Sequence, residues 1–139
     1  MSSSKAIMQE VELRLDNYLH NFNSGHFDEV ANYFYAPFMS IALESVSVLH
    51  DRTDIKNSLI TTVERLKKDG FHHSEWSAPK KIVVLDGAGL VLASCRFRRL
   101  RQDGTLCEQF TATYTLRKAN DQEWLIVAVH LHPFATPLN

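Results

Sequence analysis

The segment Trp124-Leu125-Ile126-Val127-Ala128-Val129-His130-Leu131-His132 is apolar on both alternating faces until two histidines appear on one side. A strand buried on both faces belongs in the interior of a sheet, so this chain must supply strand neighbours on either side of its own last strand. Alternation places Trp124, Ile126, Ala128, His130 and His132 on one face and Leu125, Val127, Val129 and Leu131 on the other. Which face meets the core decides what the histidines do.

Upstream, Ile7, Val11, Leu15, Tyr18, Leu19 and Phe22 recur at three- and four-residue steps between charged positions, which predicts an amphipathic helix over 5–23. Ser24-Gly25 stops it, and Asp28, Val30, Ala31, Phe34 and Tyr35 predict a short second helix ending before Pro37. Two short strands are expected over 38–44 and 46–50. Asp51 to Asp54 then offers capping side chains for a third helix carrying Ile55, Leu59, Ile60, Val63 and Leu66 inward and ending at Gly70. The remainder reads as strands over about 71–76, or on to 86 with an irregularity at Pro79, then 90–102, 105–118 and 123–132. With two prolines, the tail 133–139 is a poor strand.

A chain of 139 residues with 45% hydrophobic content can close one core, so a single domain over 1–139 is expected. A formal charge of -1 argues against nucleic acid or an anionic membrane as general partner, since such binding rests on a basic surface. The N-terminal residues lead into the first helix without the apolar stretch of a secretory signal, and no apolar run reaches membrane-spanning length. Two cysteines without paired spacing fit a reduced, cytoplasmic protein.

The turns sort the faces. A two-residue turn at Asp103-Gly104 pairs Arg99 with Glu108, Phe97 with Phe110, Cys95 with Ala112 and Ala93 with Tyr114 on an apolar face. The opposite face collects Ser94, Arg96 and Arg98 beside Cys107, Gln109, Thr111, Thr113 and Thr115. A four-residue connection over 119–122 pairs Lys118 with Glu123, Leu116 with Leu125, Tyr114 with Val127, Ala112 with Val129 and Phe110 with Leu131. By that register His130 lies across from Thr111 and His132 across from Gln109, on the outer face.

Helix hairpin, two short strands, third helix and a run of long strands resembles the nuclear-transport-factor-2-like superfamily, which includes ketosteroid-isomerase-like and polyketide-cyclase-like (SnoaL-like) members. The residues that carry the likeness are Asn23-Ser24-Gly25-His26-Phe27-Asp28-Glu29-Val30 with Pro37 after them. At the other end they are Glu123-Trp124-Leu125-Ile126-Val127, and Val129-His130-Leu131-His132, which is similar to the end of the kinase association domains in this superfamily. The resemblance implies an α+β, cystatin-like fold: a cone-shaped, curved, mostly antiparallel sheet packed on three helices of the N-terminal half. It also implies a pocket between sheet and helices and commonly a dimer through the outer sheet face. Residues His50-Asp51-Arg52-Thr53 stand where many members carry a glycine, and no counterpart of the isomerase tyrosine and paired acids is recognisable, so no catalytic role is carried over.

The fold hosts isomerases, cyclases, dehydratases and pure assembly domains, and site residues must be argued from the chain itself. Glu108, in phase with Phe110, Ala112 and Tyr114, is the candidate acid or base, because desolvation on an apolar face could raise its pKa. Against it stands a plain structural ion pair with Arg99, or a pair that binds a polar or anionic substrate at the pocket mouth. Tyr18, Phe22, Phe97, Arg99, Phe110, Tyr114 and Leu131 are the expected ligand-binding wall. Tyr18, Tyr33, Tyr35 and Tyr114 offer hydroxyls to a pocket or, as core aromatics, to water or carbonyls.

Arg96, Arg98, Gln109, Thr111, Trp124, Ile126, His130 and His132 are the expected dimer surface, polar with an apolar part from Trp124 and Ile126. A metal held by His130 and His132 with His72, His73 or Glu108 is disfavoured, since Glu108 falls on the other side of the sheet and adjacent His72 and His73 point opposite ways on a regular strand, so that only one could join. No metal or cofactor is expected, and Cys95 and Cys107 fall on opposite sheet faces, too far for a disulfide. The expectation is a protein that binds a small, largely apolar organic molecule in the cone, with acid/base chemistry a possibility. The alternative is a non-catalytic dimerisation module whose cone is filled by its own side chains.

Overall fold

A computed structural model describes residues 3–120 and 122–133 of the protein; the expected poor strand in the tail falls, after Pro133, outside them. Three helices, α1 (Ser4–Asn23), α2 (Phe27–Ala31) and α3 (Arg52–Lys67), pack on a seven-stranded sheet. The strands are β1 (Phe34–Ala42), β2 (Ser45–Leu49), β3 (Phe71–Trp76), β4 (Lys81–Asp86), β5 (Leu90–Arg101), β6 (Leu106–Lys118) and β7 (Trp124–His132). Their order is β2-β1-β7-β6-β5-β3, with β4 on the same edge of β5 as β3, and the sheet does not close into a barrel. The doubly apolar β7 thus lies between two neighbours, parallel to β1 and antiparallel to β6.

The cap of α3 lies where the sequence places it, and α1 has a cap as well. The Ser3 hydroxyl accepts from the Ala6 amide, and the Asp51 carboxylate accepts from the Asp54 amide at 2.8 Å, which satisfies donors the first helical turn leaves free. The whole apolar stripe of α1, from Ile7 through Phe22, is buried against the sheet.

The second helix is shorter than expected. It ends at Ala31, and Phe34 and Tyr35 belong to β1 rather than to a helix. Burial outcompetes helix propensity here: Phe34 pairs with Ile126 in the parallel ladder, and the Ile126 amide donates to the Tyr33 carbonyl at 2.8 Å. Pro37, preceded by a cis peptide, sits where the β1–β7 register shifts between Phe34 and Met39.

The register also shifts at three single residues, beside the shifts of β1–β7 and β4–β5, and these three account for most of what the sequence pattern misplaces. At the β5–β6 turn the connection is three residues, not two: the Arg101 amide donates to the Thr105 carbonyl, and Gly104 takes the left-handed conformation at φ 86°. Cys107 is then an extra residue between the Leu100–Leu106 and Arg99–Glu108 pairs, and this bulge restores the expected register from Arg99 inward.

The β6–β7 loop shows the same compensation. Ala119 donates to the Glu123 carbonyl, so the loop is one residue shorter than expected, and Lys118 faces Trp124. Val127 is the extra residue between the Leu116–Ile126 and Thr115–Ala128 pairs. The half of β7 before it therefore faces the other way: Trp124 and Ile126 are buried inside with Leu116, not on the outer face with the histidines. Beyond the bulge His130 and His132 do face outward, but opposite Thr113 and Thr111 instead of Thr111 and Gln109.

The third bulge is at His72 in β3. It brings the adjacent His72 and His73 rings together, Nδ1 to Nδ1 at 3.0 Å, instead of splaying them to opposite faces.

Polar links fasten α1 to the sheet along its length. Glu10 pairs with Lys118, Arg14 Nε donates to the Trp124 carbonyl at 2.9 Å, and both side-chain atoms of Asn23 bond the backbone of Ser74 at 2.8 Å. Where β3 breaks before β4, Lys80 Nζ lies 2.6 Å from Asp16 and 4.8 Å from the Trp76 ring, while Trp76 Nε1 donates to the same carboxylate at 2.9 Å. By contrast, among the described residues α3 has one side-chain ion pair to the rest of the fold, Lys56 with Asp28 of α2.

Candidate functional site

Between the sheet and the helices lies a cavity of about 210 Å³. Helix α1 contributes Tyr18, Leu19 and Phe22; β1 and β2 contribute Phe34, Phe38, Ser40, Ser47 and Leu49; α3 contributes Ile55, Ser58 and Leu59. The facing sheet adds Ser74, Phe97, Arg99, Phe110, Tyr114, Val129 and Leu131. All seven residues expected to form a pocket wall, Tyr18, Phe22, Phe97, Arg99, Phe110, Tyr114 and Leu131, line it. What the pattern of the long strands missed is the other half of the wall, the serines and leucines of β1, β2 and α3. The paired Ser40 and Ser47 were the available signal, small residues in phase with Phe38 and Leu49 on the inward side of their hairpin.

The aromatic side chains hold one another in edge-to-face and stacked contacts. Tyr18 is 5.8 Å from Phe34 and 6.1 Å from Tyr114, ring centre to ring centre, and Phe97 stacks on Phe110 at 5.2 Å. Burial raises the pKa of Tyr18, an effect partly offset by the Tyr114 hydroxyl and the Arg99 charge. Tyr114 is pushed well above 10, again by burial first and then by the neighbouring Tyr18. Both phenols are therefore neutral donors and acceptors near neutrality. Of the other tyrosines, Tyr33 accepts from Asn21 and stacks under Arg14, and Tyr35 is exposed on β1.

Glu108 is not in the cavity wall. It lines an adjoining groove with Thr62, Arg65, His132 and Pro133, and the groove shares Arg99, Phe110 and Leu131 with the cavity. Arg99 stands at the junction: its guanidinium lies 4.7 Å over the Phe110 ring, and Nη1 donates to Glu108 Oε1 at 2.5 Å. Arg99 Nε is buried without an acceptor among the described residues, as is the hydroxyl of Ser74 in the same wall.

The outer sheet face is mixed. Thr111, Thr113 and Ser94 are buried there, and Thr113 Oγ1 lies 2.8 Å from His132 Nε2 and 3.2 Å from Ser94 Oγ. His130, Arg98 and Gln109 are exposed beside them and Arg96 is half-buried. One cross-strand row is apolar apart from Thr115: Val48, Met39, Ala128, Thr115, Leu92 and Val83 succeed one another across five strand pairs. Cys95 is buried on the inner face, where burial pushes its thiol up to about 12, and it is not bonded to Cys107. No three His, Cys, Asp or Glu side chains cluster in metal-binding fashion among the described residues, and no helix there is long and apolar enough to cross a membrane.

Solved structures share this architecture. A protein from Catenulispora acidiphila in complex with S-DNPA superposes with a TM-score of 0.72 at 20% identity, covering 92% of this chain and 95% of that one. An NTF2-like protein with a cystatin-like fold from Novosphingobium aromaticivorans gives 0.70 at 18% identity, covering 89% and 79%. The putative calcium/calmodulin dependent protein kinase II association domain from Xanthomonas campestris gives 0.65 at 17%, covering 88% and 84%. At these identities the likeness is one of fold. No curated protein matches the sequence. The family model described as NTF2-like protein (DUF6841) matches residues 9–134, and the chain belongs to that family.

Proposed function

We propose that the protein binds a small, largely apolar organic molecule in the cavity between α1, α3 and the sheet. The observation that carries this is the cavity itself: the cone is not closed by its own Phe and Leu side chains, and an aromatic wall with a few polar groups is the usual make-up of such sites. At about 210 Å³ it suits a compact ligand, since an apolar cavity of about 150 Å³ already holds benzene. The Catenulispora acidiphila protein of like fold was solved in complex with S-DNPA, which is in keeping with binding at this fold. Among the described residues the wall offers no base near neutrality: its phenols are raised by burial, and Glu108 lies outside it, paired with Arg99. Binding is therefore the better-supported reading than proton transfer by Glu108.

The test is ligand-detected NMR with a panel of compact aromatic compounds against the protein and against Val129→Phe, which fills the cavity from β7. Binding that disappears in Val129→Phe supports the proposal. Binding that survives in both Val129→Phe and Leu131→Trp, with both variants folded, places the ligand elsewhere and defeats it.

The apolar row on the outer face favours a second, compatible reading, assembly of two copies through that face, with Arg96, Arg98, Gln109, His130 and His132 around the contact; Thr111, expected there too, is fully buried within the chain and has no surface to offer a partner. Met39 and Val48 are 39% and 42% exposed on it, a cost that pairing with a second copy would remove. Light scattering decides: His130→Glu with His132→Glu should lower the mass in solution, and an unchanged mass would remove the histidines from any interface.

A further inference from the structure

Resting on the cavity-binding reading, we propose that the ligand carries one carboxylate head, held at Arg99 with the apolar body in the cavity, and that Glu108 competes with that head for the guanidinium.

The donors are in place. A guanidinium presents five N–H groups in a planar fork, and among the described residues the side-chain donors of Arg99 meet one acceptor, Glu108, through Nη1. Buried Nε has no acceptor, and Ser74 Oγ, in a residue 3% exposed in the same wall, has none either. Buried polar groups left without partners in a cavity wall are what a ligand acceptor would satisfy. The Phe110 ring, 4.7 Å from the guanidinium carbon, limits how far the fork can move, which suits bidentate capture of a planar carboxylate.

The charge balance points the same way. The groove outside carries two guanidiniums, Arg65 and Arg99, against one carboxylate, Glu108, so it is cationic before a ligand arrives. Glu108 is 43% exposed in its side chain and can turn into water when displaced, whereas Arg99 is held by burial. A neutral apolar ligand would use none of this, and a polyanion would have to bury charge against Phe97 and Phe110. One anionic head on a compact apolar body fits both halves of the site.

The experiment is titration calorimetry with phenylacetate and phenylacetamide, which share a shape and differ in charge. The protein should bind phenylacetate about tenfold more tightly than the amide, a difference of about 1.4 kcal/mol. In Glu108→Gln that preference should widen, because the competitor is gone. In Arg99→Gln it should fall to about twofold or less, and in the surface variant Arg65→Gln it should shrink in part. Equal binding of acid and amide would overturn the carboxylate proposal while leaving the cavity reading intact. Loss of both in Val129→Phe assigns the binding to the cavity. If neither compound binds the protein, cavity reading and carboxylate proposal fall together.

Discussion

Arg99 and Glu108 are cross-strand partners joined at 2.5 Å, yet they are not equivalent, because the arginine side chain is 17% exposed and the glutamate 43%. Removing the two partners should therefore have unequal effects. Glu108→Gln gives up a half-exposed ion pair and should cost less than about 1 kcal/mol in urea unfolding. Arg99→Ala also removes the packing over Phe110 and should cost visibly more; equal losses would show that the pair acts as a simple surface bridge.

The two buried phenols set an alkaline limit. Their pKa values are raised in the fold, so stability is full below the unfolded tyrosine value of about 10 and declines as pH rises through the folded values. Thermal melts should fall above pH 10, and Tyr18→Phe should flatten that decline. A slope identical to that of the unsubstituted protein would mean Tyr18 is not a contributor.

Val127 is an extra residue between two correctly faced halves of β7. Deleting it leaves Ile126 inward and Ala128 outward without a break in alternation, so the deletion should fold, at a cost within the ordinary 0.5–3 kcal/mol range of about one substitution. Deleting Val129 instead turns His130 and His132 toward the core and should abolish the dispersed spectrum of a folded chain. If the two deletions behave alike in a heteronuclear NMR spectrum, the bulge does not have this role.

The cysteines should separate kinetically. Cys95 is fully buried with its thiol pushed up to about 12, while Cys107 is half-buried at the bulge, its sulfur 3.8 Å from the Asp69 carbonyl. A disulfide reagent at neutral pH should label one thiol in the folded protein and the second only on unfolding. Prompt labelling of both would mean that the inner face opens readily.

Much of this architecture can be derived from side-chain patterning, because alternation and turn chemistry report which face is buried. Arg99–Glu108, Phe97–Phe110, Cys95–Ala112 and Ala93–Tyr114 are all cross-strand partners in the fold. Patterning fails where one extra residue is absorbed into a strand. His72, Cys107 and Val127 carry no chemical mark of a bulge, and each shifts the phase of what precedes or follows it. That is why Trp124 and Ile126, in phase with the histidines on paper, lie inside, and why His72 and His73 meet. The cavity wall was legible on the long strands, where Tyr114 and Phe110 alternate cleanly. It was not legible on α3 and the β1–β2 hairpin, whose inward positions are partly serines that a hydrophobic pattern does not register.

Helix α1 is fastened to the sheet through Glu10, Arg14, Asp16 and Asn23, whereas among the described residues α3 closes the other side of the cavity with one ion pair to α2. The two walls should then differ in kinetics as well as in anchoring. Thermal opening should fall to the seam between α3 and the β1–β2 hairpin, and the residence time of anything held inside should be set there. Amide exchange should run faster in α3 than in α1, and a cross-link from α3 to β2 should slow release without touching a single group that contacts the ligand.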